Sequence, residues 1–213
     1  MTIKQKLILF AIILVLAGCS PLAPRPNYTK FFVLTPITDT TNAVTASNLS
    51  IGIGPIDFPA YLDRTQVVTR SAPTQIDLSP VDRWGEPLDK NFKRVLAENL
   101  AQLLNTYRIE EYPWNHLTHV DYQVAINVLN FETTASGQSL LKARWIIKDG
   151  SNDHDLYASE TTANTPVGAG DTGISAALSS DLETLSRAIA AQVTVLSQRR
   201  TSEGASATPL QWP

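Results

Sequence analysis

The chain has 213 residues, 43% of them hydrophobic, with 17 basic and 20 acidic side chains and a net charge of −3 at pH 7. That length supports one domain with a sizeable core, and the acidic balance argues against a nucleic-acid binder, which would carry a basic surface. With a single cysteine no intrachain disulfide can form, so stability must come from the core.

Lys4 and Lys6 precede an unbroken apolar run, Leu7 to Ala17, and small residues follow. A basic start, an apolar stretch of this length and a small-residue cleavage point predict a secretory signal peptide over residues 1–18. The run is too short to span a bilayer, which takes about 20 apolar residues. Leu16-Ala17-Gly18-Cys19 matches the bacterial lipobox residue for residue. What that match implies is acyl transfer to the Cys19 sulfur and cleavage after Gly18, with two or more acyl chains giving a stable membrane anchor. Ser20 stands where an aspartate would favour inner-membrane retention, so the bacterial sorting rule implies the outer membrane, with the domain facing the periplasm. Residues 19–27 form the lipidated cysteine and a proline-rich tether, SPLAPRPN. At roughly 3.1 Å per residue this tether reaches about 25 Å.

A single domain is expected over residues 28–200. Tyr28 to Leu34 is aromatic and β-branched, and Leu49 to Ile56 alternates apolar with small residues, so both predict strands. Gln66 to Thr69 and Gln75 to Leu78 predict a hairpin across Ser71-Ala72-Pro73-Thr74. Asp82 is the candidate N-cap of a helix carrying Leu88, Phe92, Val95, Leu96, Asn99, Leu100 and Leu103 on one stripe. After a short extended piece at Arg108 to Tyr112, Tyr122 to Phe131, Leu140 to Lys148 and Asp155 to Thr162 predict three consecutive antiparallel strands, with turn chemistry at Gly137 and Asp149-Gly150. A second helix is expected from about Thr172 to Gln198, where Ile174, Leu178, Leu182, Leu185, Ile189, Val193 and Leu196 recur at steps of three and four. Residues 201–213 lack periodicity and predict a disordered tail. The expected fold is α+β, a mostly antiparallel sheet with two amphipathic helices packed on one face.

Chemistry-bearing constellations are absent from the sequence. His116-x-x-His119 lies in a polar stretch after Pro113, with no cysteine or HExxH pattern beside it, so no metal site and no cofactor are expected. Asp82, Glu86 and Asp89 suit a helix N-terminus better than acid–base catalysis. Gly52-x-Gly54 is followed by Pro55 rather than a helix start, so it serves close packing or a bulge, not a phosphate. Trp84, Trp114 and Trp145 suit core or rim packing. No catalytic residue is assigned and no enzyme is expected.

Asp57 to Arg64 joins two predicted strands and places Phe58, Tyr61, Leu62 and Arg64 in a connection that prolines keep out of the sheet ladder. Two roles are open to it. The loop could present these side chains as a docking surface, since aromatic residues and arginine are what hot spots use. It could equally fold them back over an open edge of the core.

The series Ile51 to Arg70 (IGIGPIDFPAYLDRTQVVTR), Asp82 to Leu88 (DRWGEPL) and Phe92 to Leu100 (FKRVLAENL), with the lipobox, the early FFVLTP and Ala143-Arg144-Trp145, resembles the PqiC family of ABC-type transport auxiliary lipoproteins. Thr65 and Gly85 depart from the proline and alanine expected there. The resemblance implies a non-enzymatic auxiliary subunit that docks on a tunnel-forming MCE-domain protein of the inner membrane and supports intermembrane lipid transport and envelope integrity. Self-association is compatible with that role. The alternative is a free-standing lipid- or ligand-binding envelope lipoprotein.

Overall fold

The computed structural model describes residue 3 and residues 28–38, 48–114, 119–170 and 172–206. Apart from residue 3, the predicted signal peptide with Gly18 lies outside the described residues, as do Cys19, the tether, His116 and residues 207–213.

Eight strands form one sheet: β1 (Lys30–Phe32), β2 (Ile51–Asp57), β3 (Gln66–Ala72), β4 (Gln75–Trp84), β5 (Ile109–Glu111), β6 (Tyr122–Thr134), β7 (Ser139–Asp149) and β8 (Asp155–Ala163). Two helices accompany them, α1 (Leu88–Leu103) and α2 (Gly173–Ser206), with a 3-10 turn at Ala60–Leu62. The order is β1-β4-β3-β6-β2-β5, with β7 and β8 continuing outward from β6.

The expectation of a mostly antiparallel sheet is overturned. Four of the seven strand pairings among the described residues are parallel: β1 with β4, and β2 with β5, β2 with β6 and β3 with β6. Only the β3–β4 hairpin and the β6–β7–β8 meander are antiparallel. For the pairings made by β5 and β6 the reason is the position of α1 in the chain. It separates β2 and β3 from β6, and a chain that crosses over through a helix returns parallel to the strand it left. Alternation within each strand reports which residues face the core, but it does not report which strand lies alongside.

Both helices pack against the sheet and against each other. Each strand of the β6–β7 pair turns alternate residues toward them: Tyr122, Val124, Ile126 and Val128 on β6, and Leu141, Ala143, Trp145 and Ile147 on β7, all buried. A one-residue bulge between Val128 and Asn130 resets this alternation, so that Phe131 is again buried and meets Phe92 of α1 edge-on at 5.2 Å. The core stripe of α1 includes two buried asparagines. Asn91 Oδ1 accepts the Leu34 N–H at 3.0 Å, and Asn99 Oδ1 accepts that of Ile37 at 2.9 Å. They hang the segment after β1 along α1, eight residues apart on one helix face.

Three boundaries differ from the sequence expectation. Asp82 is not a helix cap. It lies within β4, where its backbone N–H and side chain both meet the Ser79 hydroxyl, and the strand continues to Trp84 to pair with β1. The helix starts instead after Pro87. At the other end α2 continues to Ser206, so the first residues of the predicted tail are helical. The apolar periodicity ends at Leu196, but helix propagation needs only the next backbone bond. Arg200 also fastens this end, donating to Asp149 at 3.0 Å and lying over the Tyr122 ring. Gly54 takes φ +115°, and a Cβ there would stand 2.7 Å from Tyr112, while one on Gly52 would stand 2.8 Å from the Trp114 ring. These glycines serve close packing, in keeping with their sequence context.

Leu185 sits mid-stripe on α2 with no exposed surface. Leu185→Ala is expected to cost about 2–5 kcal/mol through lost transfer energy and the cavity left behind, read from the midpoint of urea unfolding. A loss below 1 kcal/mol, on the order of a surface substitution, would contradict this packing.

Candidate functional site

β6 is long enough to take two parallel partners end to end. β2 pairs with its first half, Tyr122 to Asn127, and β3 with its end, Thr133 and Thr134. The chain joining β2 to β3, residues 58–65, therefore cannot lie in the sheet and must leave it. Pro59 opens a tight turn closed by Leu62 N–H to Pro59 O at 2.9 Å and Asp63 N–H to Ala60 O at 3.2 Å. The turn sends its side chains in opposite directions. Phe58 meets Phe92 edge-on at 5.1 Å, and Leu62 is buried with 2% of its surface exposed. Tyr61 reaches the other way, to β6.

There it finds Glu132. Because Phe131 faces the helices, its neighbour Glu132 points to the opposite side of the sheet, with a side chain that is fully buried. Four donors converge on this carboxylate: Arg70 Nε at 2.7 Å and Asn130 Nδ2 at 3.0 Å on Oε1, and the Tyr61 hydroxyl and the Phe131 N–H, each at 2.8 Å, on Oε2. The Arg70 guanidinium also lies over the Tyr61 ring, 5.4 Å from its centre. Burial, and next the bond to Glu132, push the Tyr61 phenol up to about 12. A buried charge is tolerated only when paired and hydrogen-bonded, and every part of this cluster meets that condition.

The helix-side surface of the same loop forms one wall of a cleft of about 740 Å³. The facing wall is the segment from Trp84 to Asp89 that leads into α1, and Trp84 N–H to Thr65 O at 2.7 Å joins the two at the base. Phe58, Leu62, Trp84 and Leu88 supply the apolar lining. Asp57 and Asp63 stand exposed at its rim. Glu86 is occupied, accepting from Asn91 and Arg94 at 2.6 Å each. Arg64 is not. Its Nε is buried with no acceptor, and the residue enters no ion pair among the described residues.

Of the four loop residues singled out from the sequence, the structure thus turns Phe58 and Leu62 onto the core, ties Tyr61 to the sheet and leaves Arg64 on the cleft. Sequence reasoning missed Glu132 and Arg70. The available signal was an acid and a base, each the one charged residue of its strand, but nothing in spacing pairs residues 62 positions apart. Trp84 and Trp145 are buried, and Trp114 packs on Gly52 and Tyr112. Among the described residues no cluster of His, Cys, Asp or Glu could hold a metal ion, and no helix is long and apolar enough to cross a membrane.

The model of one family, described as ABC-type transport auxiliary lipoprotein component, matches residues 32–190. Among solved structures, an uncharacterised protein is 17% identical with a TM-score of 0.63, the match covering 78% of this chain and 99% of that one. The protein XCC0632 from Xanthomonas campestris is 13% identical, also with a TM-score of 0.63, covering 81% of this chain and 99% of its own. At these identities the likeness is one of fold. No functionally curated protein matches the chain.

The Glu132 cluster has a pH signature. An unfolded tyrosine ionises near 10, while Tyr61 keeps its proton until about 12, so stability is unaffected below pH 10 and falls as pH rises through that window. Tyr61→Phe is expected to flatten this part of the stability–pH curve and, near neutrality, to cost about 1.5–3 kcal/mol, the worth of a hydrogen bond to a charged group. Urea unfolding across that range measures both, and a variant with the wild-type slope would contradict the assignment.

Proposed function

The chain belongs to the family of ABC-type transport auxiliary lipoproteins, and on that premise we propose that it is the outer-membrane-anchored, periplasm-facing subunit of an MCE-type intermembrane lipid transport system. In this role it docks on the tunnel-forming MCE protein and catalyses nothing. The observation that carries the docking step is the cleft between residues 57–65 and 84–89, with Arg64 on its wall, its Nε without an acceptor among the described residues. A guanidinium that no carboxylate of the described residues engages is open to a partner carbonyl or carboxylate entering the cleft. Apolar side chains beside an arginine are also the composition of binding hot spots. Clamping of the loop by the Tyr61–Glu132 bond keeps the ordering cost of binding low. The Leu-Ala-Gly-Cys sequence and Ser20 support the anchor and its destination.

A second role is favoured by the cleft's volume, which falls in the range of about 300–1,000 Å³ typical of small-molecule sites. A free-standing lipid-binding lipoprotein would use the same walls. Lipid retained in the purified, anchor-free domain, together with normal function in the absence of any MCE partner, would favour it.

Two measurements test the proposal. Arg64→Ala should leave the melting temperature within about a degree of wild type, since it removes no internal partner, and should weaken binding to the cognate MCE protein about tenfold or more, the size of a single hot spot. Unchanged affinity would rule out docking through this cleft. Cys19→Ala should block acylation and leave the precursor uncleaved after Gly18, and Ser20→Asp should shift the protein to the inner membrane. Mass spectrometry that finds a processed but unacylated Cys19 in the wild type would overturn the anchor, and unchanged fractionation of Ser20→Asp would overturn the sorting argument.

A further inference from the structure

On the premise that Cys19 is acylated as above, we propose that Tyr28, Phe31 and Val33 form a membrane-contact face, which lays the β1 edge of the domain on the bilayer that holds the anchor. β1 and the residues after it read Phe31-Phe32-Val33-Leu34, apolar on both sides of a strand at the sheet margin. Phe32 and Leu34 turn inward and join the core. Phe31 and Val33, alternating with them, turn outward and remain 69% and 46% exposed, and Tyr28, two residues before the strand, is 69% exposed. An edge strand with one covered face needs apolar residues only on that face, so the outward set is more apolar than the sheet requires. The strand of β4 that β1 pairs with adds Val81, 38% exposed. Arg83, in register with Phe31, keeps its guanidinium on the carbonyls of Ser79, Pro80 and Asp82, so the patch carries a positive charge whose donors are held by the backbone.

The occupant follows from where the tether ends. The eight residues Ser20 to Asn27 reach about 25 Å and deliver the chain directly to Tyr28, so covalent geometry holds this edge within that distance of the acyl chains. Aromatic side chains with an apolar body and, in tyrosine, a polar tip suit the headgroup region, and a second contact adds to what the acyl chains supply. The contact also orients the candidate site. Gly85, on the cleft wall, donates its N–H to Phe32 O at 2.8 Å, so the cleft begins one strand away from the bilayer surface.

The test uses the full acylated protein in vesicles of phosphatidylethanolamine and phosphatidylglycerol that carry a doxyl-labelled phosphatidylcholine. Acylation consumes Cys19, the only cysteine, so Phe31→Cys and Tyr107→Cys each give one free thiol for an environment-sensitive fluorophore. Tyr107 is the control. It is 98% exposed and follows the far end of α1, a helix of about 24 Å whose near end receives the chain from β1 at Asn91. Both sites are exposed, so both variants should keep the wild-type melting temperature. The expected result is doxyl quenching at position 31 severalfold greater than at position 107. Equal quenching at the two positions in protein that floats with the vesicles overturns the membrane face while leaving the anchor intact. Protection of position 31 from aqueous iodide without doxyl quenching also overturns it, in favour of a second copy of the chain as occupant. Failure of the wild type to float would instead overturn the anchor itself.

Discussion

The architecture depends on one strand having two parallel partners on the same side. β6 takes β2 along its first half and β3 at its end, and between them it loses a neighbour. A stretch of backbone in the middle of a sheet cannot be left unpaired and dry, so the gap must be closed by whatever joins the two partners. The chain closes it with the turn at residues 60–62 and with Tyr61, whose hydroxyl lies 3.4 Å from Leu129 O and 2.8 Å from Glu132. The bulge at Leu129, the buried carboxylate and the Arg70 ion pair all lie along that same stretch of β6. Glu132 reads as an anomaly in a β-strand and as a requirement once the topology is known.

The cleft is the other side of the same solution. A loop forced out of the sheet plane has two faces. One is committed to Glu132, and the other looks across to the segment that enters α1. Phe92 joins the two regions, since it meets Phe58 of the loop and Phe131 of β6 edge-on. The cleft walls are therefore fixed by core packing on one side and by a buried ion pair on the other. Such a surface is preorganised, and among the described residues the Arg64 Nε is buried on it without an acceptor.

Local features were legible in the sequence and long-range ones were not. The stripe from Ile174 to Leu196 and the stripe from Leu88 to Leu103 announced both helices, because a period of 3.6 is a local property. The meander from Tyr122 to Thr162 was legible for the same reason, its turns being short and its strands consecutive. Parallel pairing was hidden, because β1 meets β4, and β2 and β3 meet β6, across intervening elements that carry no mark of the register. Asp82 misled because aspartate before a helical stripe is a cap signal, and only the pairing of Arg83 and Trp84 with β1 reveals that the strand continues. In the candidate site, the loop and its Arg64 were visible as an unusual connection. The division of its side chains between core, ion pair and cleft required Glu132, 68 positions after Arg64.

The two proposals together make this a domain whose exposed aromatic edge, Phe31 and Val33, would meet the bilayer of the anchor, with the cleft one strand further on. The claim that matters most is that the cleft, and not another surface, receives the partner. Photo-crosslinking in intact cells tests it directly. A photoreactive residue at Asp63, exposed on the cleft rim, is compared with one at Gln75, exposed at the tip of the β3–β4 hairpin. An adduct with the MCE protein from position 63 and none from position 75 is the predicted result. Adducts from position 75 alone, or from neither position in cells where the two proteins co-purify, would contradict it.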